Sequence, residues 1–289
     1  MSQITYVNGK YLPHNKAFLH VEDRSTQFSD GVYEVIAVIS GNLVDPQMHY
    51  RRLIRSLTEL EMNLPMSVNV LHLNIKEVIR RNRLKSGLCY LQISRGSAPR
   101  NHVIPNLIKE SVVITARHSE PNGGKGAKQG VSIITTEDIR WKRPDIKSVS
   151  LLPNVLAKNQ AAQRGAFEAW LVESGEEEII IEGSSSNTWI VSQSGQVITH
   201  PEGVKMLSGV TRNRIIDLAR SNGIEVLEKP FTVTQAKTAS EAFMTSTSSF
   251  VVPVIEIDGD KIGNGKSGPV TIAIQKLYND FAQRSCGEV

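Results

Sequence analysis

Cysteine is nearly missing from this 289-residue chain: Cys89 lies in an apolar run and Cys286 close to the C-terminus. Two thiols so placed build neither a disulfide framework nor a thiolate metal site, and they point to a reducing compartment. An excess of one charge is missing as well. Lys and Arg number 33 against 29 Asp and Glu, a dispersed net charge of +4 without a basic stripe, so nucleic acid is not the expected partner. No apolar run approaches bilayer length, and Met1-Ser-Gln-Ile-Thr-Tyr6 has no basic region followed by an apolar core. Neither a membrane span nor a secretion signal is expected, and the protein reads as cytoplasmic. His49, His72 and His118 have no second ligand at metal spacing, so no metal is assigned. The run Gly123-Gly-Lys-Gly126 lacks the setting and spacing of a phosphate loop.

What is present fits a two-domain globular protein. An apolar content of 40% with 21% charged residues is ordinary for a globular chain, and 289 residues suffice for two cores. The stretch 118–130 is polar, carries four glycines and a proline, and lies between apolar strands, which is linker chemistry. It divides a domain over 1–117 from a larger one over 131–289. In the first, the pattern predicts paired strands at Tyr6 and Tyr11, strands over 32–39, 89–94 and 111–116, and helices over 49–60 and 71–82. The second mixes strands near 131, 169–173, 188–191, 224–227 and 242–245 with helices around Lys158, Thr211 and Ala236 and from Pro269 onward. The fold class is α+β.

The stretch from Asp145 to Ala162 carries the sharpest chemical signal. A helix entered through Pro153 and closed by Gly165 puts Val155, Lys158 and Ala162 on one face, so the Lys158 amine falls on an apolar stripe. Desolvation favours the neutral amine, which is how a lysine becomes a nucleophile that forms Schiff bases with carbonyls. The plain alternative is a lysine at the stripe's edge that reaches solvent. Three further features follow it along the chain. Glu182 ends the apolar run Ile179-Ile180-Ile181, where the chain turns through Gly-Ser-Ser-Ser-Asn187. Gly209, Val210 and Thr211 head an amphipathic helix, whose free N–H groups attract a phosphate. Ser246 and Thr247 belong to a hydroxyl cluster, 245–249, expected after a helical segment. Lysine, carboxylate, helix N-terminus and hydroxyls are what pyridoxal 5'-phosphate requires: an amine for the aldehyde, an acid partner for the ring nitrogen and donors for the phosphate.

With these features in place, the chain resembles the fold-type IV pyridoxal-phosphate enzymes over essentially its whole length. Within that family it looks most like the D-amino acid aminotransferases. The resemblance rests on Glu22-Asp-Arg-Ser-Thr-Gln-Phe-Ser-Asp-Gly-Val-Tyr-Glu-Val35, His49-Tyr-Arg-Arg52-Leu, Arg95-Gly-Ser-Ala-Pro-Arg100-Asn-His102 and the segment from Asp138 to Lys147. It implies a small α/β domain and a larger pseudo-barrel domain, with the cofactor between them.

Site roles follow from the resemblance, each beside a plainer reading. Arg52 shares a predicted helix with Arg51 and Arg55, which alone would be a solvated basic face; the resemblance makes Arg52 a phosphate clamp. Tyr33 reads as a core aromatic on its strand, and the resemblance places its hydroxyl at the substrate carboxylate. Arg100 and His102 sit in a loop bounded by prolines, where charged residues are commonly solvated. Two residues apart in an extended loop, they present both side chains to one side, which suits an α-carboxylate. The resemblance also implies that they reach into the neighbouring subunit of a homodimer, whose active sites are then shared. The implied activity is transfer of the amino group of D-alanine-like D-amino acids to 2-oxoglutarate or pyruvate. Lys158 serves as Schiff-base anchor and proton carrier, and Glu182 supports the ring. A branched-chain L-amino acid aminotransferase or an aminodeoxychorismate lyase of the same family is the alternative.

Overall fold

The computed structural model describes residues 3–285. Cys286 lies outside them. The chain divides into two compact units: the first takes residues to Pro121 together with Ile146–Ser150 and Ser285, and the second takes Asn122–Asp145 and Leu151–Arg284.

The first unit opens with the hairpin of β1 (Ile4–Val7) and β2 (Lys10–Pro13), in which Tyr6 pairs with Tyr11 as the alternation predicts. Then come α1 (Arg24–Phe28), β3 (Gly31–Ile39), β4 (Asn42–Leu43), α2 (Pro46–Glu59), α3 (Val68–Arg81), β5 (Ser86–Ser94) and β6 (Ser111–His118). The strands form one sheet in the order β2-β1-β6-β5-β3-β4. Strand β3 turns Val32, Glu34, Ile36 and Val38 to one face, all fully buried, so a carboxylate stands in an otherwise apolar row. Helix α2 packs on β3 with His49, Arg52, Leu53, Ser56 and Leu57 as its buried stripe. Strand β4 pairs only with the far end of β3. The near end is covered by the returning segment 146–150: Val32 bridges Ser148, the Tyr33 amide donates to the Lys147 carbonyl at 3.0 Å, and Ile146 enters the core.

The second unit contains α4 (Gly124–Gln129), β7 (Val131–Glu137), α5 (Leu152–Gln163), β8 (Glu168–Glu173), β9 (Ile179–Gly183), β10 (Asn187–Val191), β11 (Val197–Thr199), α6 (Val210–Ser221), β12 (Val226–Glu228), β13 (Phe231–Thr232), α7 (Val233–Lys237), β14 (Glu241–Ser246), β15 (Phe250–Ile257), β16 (Asp260–Lys261) and α8 (Pro269–Arg284). Its strands run β12-β11-β10-β14-β15-β7-β8-β9-β13, with β16 on β15. Its core gathers Trp170, Ile180, Ile190, Phe231, Met244 and Val252.

Two local expectations are corrected here. The stretch 118–130 is not a bare linker: His118 ends β6, and α4 packs on β15, where a side chain on Gly130 would strike Ile255 at 2.4 Å. The hydroxyls at 245–249 follow strand β14 rather than a helix and form its hairpin turn into β15.

Candidate active site

In the first unit, Glu34 is the centre of a buried ionic cluster. Arg52 donates from Nε to Oε1 at 2.7 Å and from Nη2 to Oε2 at 2.8 Å, and His49 donates from Nδ1 to Oε2 at 2.7 Å. Burial alone would raise the Glu34 pKa; Arg52 and His49 overcome it and hold the carboxyl at about 2. Burial pushes His49 the other way, below its ordinary value, against the pull of Glu34, with Arg52 and Lys147 adding to the depression. Arg52 therefore does not belong to a solvated basic face. Arg51 and Arg55 point outward, while Arg52 is 8% exposed and locked in one orientation. His49, expected to be an uninvolved helix residue, is part of the cluster.

Beside this cluster, Lys147 donates from Nζ to the Tyr33 hydroxyl at 3.4 Å, and the amine stands 4.4 Å from the centre of the Tyr33 ring. Tyr33 is partly buried and stacks on Tyr90 with ring centres 5.7 Å apart. The Lys147 backbone is fixed on both sides: its carbonyl accepts from the Tyr33 N–H, and its own N–H donates to Ser56 Oγ at 3.2 Å. Arg100 and His102 both gather on Phe28: the Arg100 guanidinium lies 4.8 Å and the His102 ring 5.3 Å from its centre, with Arg24 at 4.6 Å. Their loop is exposed and carries Val103, Ile104 and Leu107 in the open.

In the second unit, Glu182 ends β9 at 4% exposure. Arg140 donates to its Oε1 through a close ion pair, the Leu207 amide donates to the same oxygen at 3.1 Å, and Asn187 Nδ2 donates to Oε2 at 3.2 Å. Arg140 also grips Asp138, from Nε at 2.9 Å and Nη2 at 2.7 Å. Burial pushes the Glu182 carboxyl above its ordinary value, and Arg140 only partly offsets it. The turn that follows is pinned from below by buried Glu168, which accepts from the hydroxyls of Ser184, Ser185 and Ser186.

Gly209, Val210 and Thr211 stand at the start of α6. Gly209 caps α6, whose first turn has no side-chain cap to consume its N–H groups. A Cβ on Gly209 would stand 1.9 Å from Asn187 Oδ1, so only glycine lets the backbone come this close. Thr211 is buried in the first turn, and α6 packs on β14, which ends at Ser246 with Thr247 next in the turn. Amides and hydroxyls are a donor set suited to a phosphate dianion, and a buried carboxylate suits a protonated pyridine nitrogen. The residues present fit pyridoxal phosphate.

Lys158 is placed otherwise than expected. It lies on α5, but Val155 is 58% exposed, Ala162 is exposed, and the residues that α5 buries are Ala157 and Ala161. The helix contacts β8 through these small alanines, so the supposed apolar stripe faces outward. The Lys158 side chain is 42% exposed, donates to the Phe167 carbonyl at 2.5 Å and pairs with Glu168 at 3.4 Å. An amine engaged by a carbonyl and a carboxylate, and open to solvent, lacks the desolvated setting that prepares a lysine nucleophile.

Residues missed from sequence are Lys147, Glu34, His49, Arg140, Asp138 and Glu168. Glu34 had a readable signal, since it is the lone charge on the apolar face of a period-two strand. Lys147 had none, because its segment is extended and irregular.

Comparison with known proteins bears on the whole arrangement. The family model for class IV aminotransferases matches residues 31–257, and the chain belongs to that family. Among curated relatives, it is 39% identical to a D-alanine aminotransferase of Listeria innocua over 285 residues, covering 98% of this chain and 97% of that protein. It is also 39% identical to a D-alanine aminotransferase of Bacillus licheniformis, covering 93% of each. Among solved structures, the Escherichia coli branched-chain amino acid aminotransferase superposes with a TM-score of 0.89 at 25% identity, covering 98% of this chain and 95% of that one. The T.th. branched-chain amino acid aminotransferase with pyridoxamine 5'-phosphate gives 0.88 at 28% identity over the same shares.

Proposed function

We propose that this protein is a D-amino acid aminotransferase dependent on pyridoxal 5'-phosphate. It moves the amino group of D-alanine-like substrates to 2-oxoglutarate or pyruvate in two half-reactions. The observation that carries the reaction type is the Lys147 amine, held at the Tyr33 hydroxyl beside the Glu34, His49 and Arg52 cluster. The choice of D-amino acids is supported by the curated relatives, all similar along nearly their full length.

When bound, the cofactor supplies an aldehyde that condenses with amines and a ring that accepts the electrons left at the substrate Cα. The role first expected of Lys158 passes to Lys147. Its amine rests on a tyrosine hydroxyl rather than against a carboxylate, so no ion pair has to break before it takes a proton from Cα and returns it. Tyr33 orients that amine. Arg52 is proposed as a phosphate clamp, fixed in direction by Glu34, with the first turn of α6 (Gly209, Val210, Thr211), Ser246 and Thr247 as the remaining phosphate donors. Glu182 is proposed to hold the ring nitrogen's proton. Arg100 and His102 are proposed for the substrate α-carboxylate. Their loop exposes Val103 at 71% and Leu107 at 96%, and this supports burial of the loop against a second copy in a homodimer. No helix among the described residues is long and apolar enough to cross a membrane, and the cytoplasm is the proposed location.

Borohydride reduction of the holoenzyme, followed by mass spectrometry of the labelled peptide, locates the anchoring lysine. A label on Lys147 is expected, and one on Lys158 overturns the assignment. The substrate reading is tested separately: D-alanine should discharge the yellow colour of the purified protein and L-leucine should not. The reverse result establishes the branched-chain alternative.

A further inference from the structure

In the second unit Asp138, Arg140 and Glu182 stand in series as an acidic-basic chain, of which only Glu182 has been given a role. Arg140 is almost fully enclosed, with its side chain 5% exposed. It directs two of its three guanidinium nitrogens to Asp138, which also accepts the Arg140 backbone N–H at 3.0 Å, and one to Glu182. The Lys205 carbonyl accepts weakly from Arg140 at 3.3 Å, and neutral donors from Leu207 and Asn187 complete the Glu182 carboxylate. One cation thus serves two carboxylates in a desolvated place, where charges act strongly on one another.

We propose that Arg140 is a positioning residue that decides whether the proton shared by Glu182 and the cofactor's ring nitrogen rests on the ring, and that Asp138 moderates it by drawing off part of its charge. This rests on the reading of Glu182 as the ring-nitrogen partner. A carboxylate and a pyridine nitrogen close together hold one proton in either of two places. Burial favours the neutral pair, with the proton on the carboxyl, whereas a fixed cation on the carboxylate side favours the charged pair, with the proton on nitrogen. Arg140 is the ionised side chain that supplies that bias at Glu182, and its bidentate hold by Asp138 fixes its direction.

The two substitutions at either end of the chain then act in opposite senses. Arg140→Met should leave Glu182 protonated and the ring nitrogen bare. Asp138→Asn keeps the guanidinium, frees its charge for Glu182 and should leave the ring at least as fully protonated as in wild type. A residue that merely held the loop together would give the same loosening in both variants.

The test is the nitrogen-15 resonance of holoenzyme reconstituted with ring-labelled pyridoxal phosphate, which separates protonated from bare pyridine without turnover. Expected are a protonated ring in wild type and Asp138→Asn, loss of the protonated signal in Arg140→Met, and its substantial recovery in Arg140→Lys. A protonated ring in Arg140→Met overturns the proposal, as does a bare ring in Asp138→Asn. Should Arg140→Met fail to fold, Arg140→Lys and Asp138→Asn decide the matter: a bare ring in both means that packing, not charge, is at work. Glu182→Gln distinguishes the underlying reading. A bare ring there with an unaffected Arg140→Met sinks only the role of Arg140, while a protonated ring in Glu182→Gln sinks Glu182 as the partner.

Discussion

Glu34 and Glu182 are both withdrawn from water, at 0% and 4% exposure, yet the first is held at about 2 while the second is pushed above the ordinary carboxylate range. Burial is common to both, so what faces them makes the difference. Glu34 receives two N–H groups from Arg52 and one from His49, all within 2.8 Å. Glu182 receives one from Arg140, whose other nitrogens serve Asp138, and two from neutral amides. A carboxylate given its own cation becomes a fixed anion, which suits a scaffold. One that must share its cation stays close to gaining a proton, which suits chemistry.

The hardest blow to this division of labour would come from the amines. Lys147 stands by the Glu34 cluster and Lys158 by Glu168, and the first is the one proposed for proton transfer. Lys147→Ala should reduce multiple-turnover transamination by about 10² to 10⁴-fold, the usual contribution of a general acid-base group. Lys158→Ala should retain most activity and lose only the ion pair with Glu168 and the hydrogen bond to the Phe167 carbonyl. Steady-state assay of the two variants checks this, and the opposite ranking would return the role to α5.

Next in size is the effect of Glu34 on stability. Glu34→Gln leaves Arg52 and His49 buried without their anion and should destabilise the protein by about 3 to 5 kcal/mol in denaturant unfolding. The sign with pH follows from the depressed value. Folding lowers the Glu34 pKa, so its contribution is present above the ordinary carboxylate range and is lost as pH falls toward about 2. The variant should therefore show a flatter acid limb than wild type, and an unchanged limb would mean that the cluster adds nothing.

Glu182 should behave in the reverse manner. Folding raises its pKa, so it favours the folded state below the ordinary range and loses that contribution as pH rises through the folded value. Near neutral pH, Glu182→Gln should cost little stability in the apoprotein. Its effect appears in the chemistry instead: single-turnover proton transfer should slow by an amount equivalent to about 1.5 to 3 kcal/mol, the worth of a hydrogen bond to a charged group. A half-reaction as fast as wild type, measured by stopped-flow absorbance, would remove Glu182 from the mechanism.

The contrast also explains what the sequence could and could not disclose. The β1–β2 hairpin, β3, α2, α3 and α8 were legible because each repeats an apolar pattern at the period of its element. Glu182, Gly209 and Thr211 were legible because a turn or a helix start marks them locally. Lys147 was not, since what defines it is the return of 146–150 to the open end of β3, a pairing across more than a hundred residues. Lys158 misled for a related reason. Helical spacing gives the face a residue occupies, but α5 buries its alanines and exposes Leu152, Val155 and Leu156, against the usual preference. Arg140 and Asp138 lie in the segment that carries the resemblance, yet Glu182, the second carboxylate that Arg140 serves, lies 42 residues further along the chain.

Arg100 closes the series with an effect of the same size as that of Glu182→Gln. Its guanidinium rests on Phe28 with Arg24 and His102 close to the same ring, and among the described residues no carboxylate pairs with Arg100. A substrate α-carboxylate would supply that missing anion. Removing the charge by Arg100→Ala should weaken substrate binding by about 1.5 to 3 kcal/mol, read as a rise of roughly 10 to 100-fold in KM for D-alanine with a smaller change in kcat. Because carboxylate placement decides which way the side chain points, the preference for D- over L-alanine should narrow in the same variant. Arg100→Lys keeps the charge but loses the planar fork, and should fall between the two. Unchanged kinetics in Arg100→Ala would mean that the loop's cations serve only to order Phe28, and the specificity of this enzyme would have to be sought at Tyr33 and its stacked partner Tyr90.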